Sequence, residues 1–161
     1  MAQITEGSQA PEFTLPSSGG SNIPLKSFRG KKRVVLYFYP KDDTPGCTIE
    51  ACGFRDQIKA IESKDAVVLG VSPDPVDSHS QFIQKFGLPF ILLSDEDKQV
   101  SRAYGVWVKK NMYGKEYMGV ARTTFVIGKD GKIKKIYEKV KPEGHTKEIL
   151  EFLGKYKSSD G

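Results

Sequence analysis

"KKRVVLYFYPKDDTPGCTIEACGFRD", residues 31–56, contains the change of hydrophobic period on which the fold turns. Residues 34–39 are an unbroken run of β-branched, aliphatic and aromatic side chains. The run is too short for a core helix, so it predicts a strand buried on both faces and ended by Pro40. Thr44 and Pro45 then read as the N-cap and first residue of a helix predicted from about Pro45 to Ser63. Within it, Cys47, Ala51, Phe54, Ile58 and Ile61 alternate four- and three-residue spacings and form one apolar stripe.

Working outward, "AVVLGVS" (66–72) reads as a second buried strand and "DSHSQFIQKFG" (77–87) as a short helix closed by Gly87. "FILLSD" (90–95) is a third strand candidate and "EDKQVSRAYG" (96–105) another short helix. "TTFVIGKDGKIKKIYE" (123–138) predicts two strands joined across Asp130-Gly131, and "GHTKEILEFLGKY" (144–156) a closing amphipathic helix. Upstream, "SQAPEFTLPSSGGSNIPLKSF" (8–28) suggests a hairpin around Ser17–Ser21. "GVWVKKNMYGKEYMG" (105–119) is the most irregular stretch, a long loop or a short hairpin. This order implies an α/β fold with a thioredoxin-like layout: a mixed central sheet, helices on both faces, and an N-terminal hairpin extension. No linker or repeat divides the chain, so one domain over 1–161 is expected.

Composition narrows the function. The longest apolar runs are far too short to span a bilayer, and the N-terminus lacks the basic and apolar regions of a secretory signal. No membrane association and a cytoplasmic location are therefore expected. The net charge is +5, but the basic residues are spread out. The densest cluster, Lys129, Lys132, Lys134, Lys135, Lys139 and Lys141, reads as the guard of a sheet edge. No nucleic-acid docking motif accompanies it, and no nucleic-acid partner is expected. Two cysteines in a chain of this size do not make a disulfide scaffold; such a pair is more often catalytic, redox-active or metal-binding.

Cys47 would sit at the third helical position, among unpaired backbone N–H groups and at the positive end of the helix dipole, both of which favour a thiolate. Thr44 has two readings, a cap or a hydroxyl that also serves a ligand over Cys47; capping alone favours the first. Cys52 lies five residues on, rotated by about 140° and raised by about 7.5 Å. The implied Cα separation of roughly 8.6 Å exceeds the ~7 Å limit for a disulfide, so these thiols bond only if the turn unwinds. Gly53 either eases unwinding or permits close packing against a neighbour, and the sequence does not rank the two. A zinc site from Cys47, Cys52, His79 and His145 is disfavoured, because the sulfurs diverge and the histidines lie in separate elements. Both histidines read as surface residues. Phe38, Phe54 and Phe125 read as core; Trp107 is the aromatic set apart as a neighbour of the cysteine site.

These residues resemble the peroxiredoxins. "YPKDDTPGCT" is similar to their signature P-x3-[TS]-x2-C, with Pro40, Thr44 and Cys47 in the matching places. "ARTTFVI" resembles the later strand that supplies their arginine, here Arg122, and "CTIEAC" resembles the bacterioferritin comigratory protein (peroxiredoxin Q) subgroup. "APEFTLP", "LPFILLSD" and "YGV" extend the resemblance over nearly the whole chain. It implies a peroxidase acting on hydrogen peroxide and organic hydroperoxides. Cys47 would be the peroxidatic nucleophile and Cys52 an intrachain resolving cysteine. Arg122 and Thr44 would bind the peroxide with the Gly46 and Cys47 backbone N–H groups, and Pro40 would shield the sulfur. Recycling by thioredoxin or a similar dithiol, a monomeric state and no metal or other cofactor are also implied. Glu50 matches an acid common in such helices, although a helix-surface glutamate is the preferred reading. A dithiol reductase and a non-catalytic redox sensor are the competing classes; the first lacks its C-x-x-C, and the second would turn over only once.

Overall fold

The computed structural model describes residues 4–155. The strand expected from the apolar run is β3 (Arg33–Phe38), every residue of it buried, at the centre of a five-stranded sheet. Its register on one side is parallel with β4 (Ala66–Ser72), which is in turn parallel with β5 (Ile91–Ser94). On the other side β8 (Thr123–Ile127) is antiparallel, and β9 (Ile133–Tyr137) closes that edge. The β8–β9 connection turns at Gly131, whose φ of +83° is one that side-chain-bearing residues avoid. The lysines at 132, 134 and 135 thus lie on or beside the edge strand of the five-stranded sheet, whose outer side is met at Ile133 by the backbone of Gly7 and Ser8.

Alternation along β3 sends its side chains to two separate cores. Val35, Tyr37 and Tyr39 face one, which is capped by α1 (Pro45–Asp56), α2 (Ile58–Glu62), α3 (Val76–Phe86) and α5 (His145–Lys155). Val34, Leu36 and Phe38 face the other, covered by α4 (Gln99–Ala103), a 3-10 turn at Leu25–Phe28 and the N-terminal segment. That segment contains the hairpin expected around Ser17–Ser21, made by β1 (Thr14–Pro16) and β2 (Asn22–Pro24). The irregular stretch is a second hairpin, β6 (Trp107–Met112) with β7 (Lys115–Val120). The mixed sheet with helices on both faces is the thioredoxin-like layout expected, with more of the helices on the cysteine side. Tyr156, at the end of the expected last helix, and both chain termini lie outside the described residues.

Two expectations need correction at this level. The helix predicted to run from Pro45 to Ser63 is divided at Gln57, whose backbone (φ −114°, ψ 14°) leaves the α basin and whose N–H bonds the Phe54 carbonyl. The jog leaves Ile58 half-buried and Ile61 fully buried, so the apolar stripe continues across it. His79 and His145 are not surface residues; they are 0% and 1% exposed. Each lies on its helix's apolar stripe, His79 with Phe82 and Phe86, His145 with Ile149 and Leu153. Both His79 ring nitrogens meet oxygen partners, and His145 Nε2 meets the buried Thr124 hydroxyl while its Nδ1 lies 3.5 Å from the exposed Glu148 carboxylate.

Candidate active site

The end of β3 runs through Tyr39 and Pro40 into a turn that delivers Thr44 to the N-cap position of α1. The Thr44 backbone is extended (φ −96°, ψ 157°), as a cap requires, and its carbonyl accepts the first helical hydrogen bond from Thr48. Its side chain does not cap: the hydroxyl donates to the Lys41 carbonyl at 2.9 Å. The capping reading of that hydroxyl is therefore corrected. An acceptor three residues back competes successfully with the helix end, and the first-turn N–H groups of Gly46 and Cys47 have no side-chain cap.

Cys47 opens the stripe and is buried among Ala51, Phe54 and the β3 tyrosines. One turn away on the same face stands Glu50, 1% exposed, so the surface reading of this residue is wrong. The signal that could have found it is its spacing: three residues after Cys47 and four before Phe54, it falls inside the buried stripe. Arg122, one residue before β8, bridges the two. Its Nη1 donates to Glu50 Oε1 at 2.7 Å and its Nη2 to Cys47 Sγ at 3.3 Å. The second Glu50 oxygen, Oε2, is buried with no partner among the described residues. Burial outweighs the attraction of Arg122, and the Glu50 carboxyl is pushed up to about 7. Burial works against the Arg122 cation as well, but Glu50 and then Cys47 overcome it and raise its pKa.

The β6–β7 hairpin contributes a residue that sequence reasoning missed. The half-buried ammonium of Lys110 is held below its ordinary pKa, first by burial and then by Arg122, with Cys47 acting in the opposite sense. Pro142 and Thr146 were missed too. A Cβ built on Gly46 would lie 3.1 Å from Arg122 Nη2 and 3.5 Å from the Pro142 ring, and one on Gly53 only 2.9 Å from Thr146 Oγ1. The close-packing reading of Gly53 is the one observed. Cys47, Arg122, Thr44 and Pro40 come from one loop–helix unit and the start of β8, and the structure joins Cys47 to Arg122 directly. Cys52 is half-buried, further along the same continuous helix, and both thiols are free. Phe38 and Phe125 are core on the opposite sheet face; Trp107 packs against that same core, with Lys98 over its ring.

A buried cysteine at a helix start, held against an arginine that also grips a buried glutamate, is built to stabilise a sulfur anion. Residues 7–136 match the AhpC/TSA family. The chain belongs to this family as a peroxiredoxin of the Bcp and peroxiredoxin Q group. It is 52% identical over 147 residues to the putative peroxiredoxin bcp of Coxiella burnetii, covering 91% of this chain and 97% of that one. Among solved structures, Xanthomonas campestris peroxiredoxin Q superposes with a TM-score of 0.85 at 40% identity, covering 89% of this chain and 90% of that one. The bacterioferritin comigratory protein of the same organism, described for its alkyl peroxide reduction activity, gives 0.84 at 39% identity over the same shares of both chains. This peroxiredoxin is accordingly a thiol peroxidase, an oxidoreductase that needs a peroxide and a thiol reductant.

Proposed function

We propose that Cys47 is the peroxidatic nucleophile, acting on hydrogen peroxide and on alkyl hydroperoxides, the latter by analogy with the Xanthomonas relative. The observation that carries this is the Arg122 Nη2 donor 3.3 Å from Cys47 Sγ, fixed from behind by Glu50. The Cys47 thiolate attacks one peroxide oxygen and the O–O bond breaks. The departing alkoxide or hydroxide takes a proton and leaves as alcohol or water, and the cysteine is oxidised to a sulfenic acid. Arg122 and the uncapped Gly46 and Cys47 N–H groups donate to the charge that develops on the oxygens. The Thr44 hydroxyl, whose proton goes to the Lys41 carbonyl, accepts from the protonated peroxide oxygen, and Pro40 limits access of water.

Cys52 is the resolving cysteine. Its thiol attacks the Cys47 sulfenic sulfur, forming an intrachain disulfide and releasing water. A dithiol of the thioredoxin type then reduces the disulfide and is itself oxidised. Because the two cysteines lie on one continuous helix five residues apart, this step requires residues 46–53 to unwind. The chemistry needs no metal or organic cofactor, and we place the enzyme in the cytoplasm as a monomer.

The test is a free-thiol count and non-reducing peptide map after one equivalent of hydrogen peroxide. Wild type should lose both thiols and yield a Cys47–Cys52 peptide. Cys52→Ser should accumulate a trappable sulfenic acid, and Cys47→Ser should be inert. Loss of Cys47 thiol without the linkage would remove Cys52 from the mechanism; retained turnover in Cys47→Ser would remove Cys47.

A further inference from the structure

The turn that carries Pro40 and Thr44 has neither a ladder nor a helix of its own, and Asp43 within it sits at φ +57°, a conformation that needs outside support. That support comes from α3 and the end of β4, elements to which the reaction as described assigns no part. The Asp42 side chain, 3% exposed, accepts hydrogen bonds from the Tyr39 hydroxyl on one oxygen and from Ser78 Oγ (2.8 Å) on the other. His79 Nδ1 meets that second oxygen at 2.7 Å, while its Nε2 lies 2.9 Å from the Leu93 carbonyl of β5. The Asp42 N–H donates to Asp74 at 2.8 Å, and Lys85 of α3 grips Asp43 at 2.7 Å.

The ring of His79 is completely buried, and each of its nitrogens has an oxygen partner. It therefore ties one fixed point, the edge of the central sheet at Leu93, to one loop residue, Asp42. Asp42 lies two residues after Pro40 and two before Thr44. The Thr44 hydroxyl is itself anchored to the carbonyl of Lys41, the residue before Asp42. Displacement of Asp42 thus moves the oxygen that holds the Thr44 hydroxyl.

We infer that His79, acting through Asp42, is a positioning residue for the peroxide step: it sets the Thr44 hydroxyl relative to Cys47. The inference rests on the reading that Thr44 serves the reacting oxygens. A histidine that only filled the core would be replaceable by an apolar residue with no change in the rate at Cys47, whatever the change in stability. A positioning histidine links its effect to Thr44 and keeps most of its function when a donor is retained toward Asp42.

The experiment is rapid-mixing measurement of Cys47 oxidation by hydrogen peroxide in the full chain, with urea midpoints taken in parallel. His79→Leu should slow oxidation at least tenfold. His79→Asn, which keeps a donor near the place of Nδ1, should recover most of that loss. In the Thr44→Val background His79→Leu should cause no further slowing, because the group it positions is already gone. A wild-type rate in His79→Leu, or equal slowing with and without Thr44, overturns the inference. If His79→Leu does not fold, Ser78→Ala carries the same comparison, with a two- to threefold loss expected only when Thr44 is present; equal losses overturn the inference. Wild-type Cys47 that fails to react removes the peroxidase reading itself, whereas a reactive wild type with indifferent His79 variants removes only this inference.

Discussion

Glu50 and Arg122 show how much one buried pair can govern. Glu50 is easier to protonate in the folded chain, at about 7, than at its ordinary value of 4.5, because burial opposes its charge and Oε2 has no donor among the described residues. A folded-state pKa above the unfolded value means that the associated stability is complete below pH 4.5 and is lost as pH rises through 7. Between pH 5 and pH 8 the unfolding free energy attributable to Glu50 should fall by on the order of 2 kcal/mol. Glu50→Gln should flatten that part of the profile; an unchanged slope in urea titrations would show that Glu50 stays ionised throughout. Arg122 works by geometry as well as charge, with separate nitrogens for Glu50 and Cys47. A lysine at 122 offers one point charge in place of a planar fork. Arg122→Lys should slow Cys47 oxidation by roughly 10–100-fold, a barrier increase of about 1.4–2.8 kcal/mol. Stopped-flow rates within twofold of wild type would mean that charge alone suffices.

At the scale of elements, the proposed cycle asks α1 to be stable enough to place Cys47 and weak enough to release it. Cys47, Ala51 and Phe54 are buried along one face, and α5 leans on the helix where Gly53 meets Thr146. Two effects compete at Gly53. Alanine there gains about 1 kcal/mol of helix propensity, but its methyl group would lie 2.9 Å from Thr146 Oγ1 and force that side chain or α5 to move. The clash should win, and Gly53→Ala should lose about 1 kcal/mol of stability. Adding Thr146→Ala should then recover at least that amount, a coupling visible in a double-mutant cycle of urea midpoints. Additive single effects would show that α5 does not restrain α1 at this point. The helix end itself was legible from Thr44-Pro45, because capping position is a local property. The use of the Thr44 hydroxyl was not, because it depends on how the preceding turn brings the Lys41 carbonyl within reach.

In the molecule as a whole, the sheet and α1 should have separate stabilities. β3 is buried along its whole length and paired on both sides, whereas α1 begins the cysteine face with an exposed first residue and no side-chain cap. Local opening draws on such weakly held units before the sheet yields. Hydrogen exchange on the peroxide-oxidised chain should show protection lost over residues 46–53, with β3 and β4 amides unchanged. Equal protection in the reduced and oxidised chains would be incompatible with resolution by Cys52, since the disulfide cannot span an intact helix. Loss spread across β3 would mean that the sheet opens with the helix.

The local patterns by themselves determined the order of the main elements, the hairpin turns at Ser17–Ser21 and Asp130-Gly131, the central buried strand and the placing of a cysteine at a helix start, but left 105–119 open between a loop and a hairpin. Each rests on short-range physics: a period of two or 3.6 residues, Asp130-Gly131 at a turn, Thr44-Pro45 at a helix end. Peroxiredoxin chemistry was indicated by resemblance, since Pro40, Thr44, Cys47 and the distant Arg122 match that family's signature. Only the tertiary structure decided which polar residues are inside. Glu50, His79 and His145 look like surface residues when each is read alone, and each is buried against a partner far along the chain: Arg122 for one oxygen of Glu50, Asp42 with Leu93 for His79, and Thr124 for His145. Burying a polar side chain is costly where its hydrogen bonds are not met, and the partners that meet them are chosen by the fold rather than by neighbours in sequence.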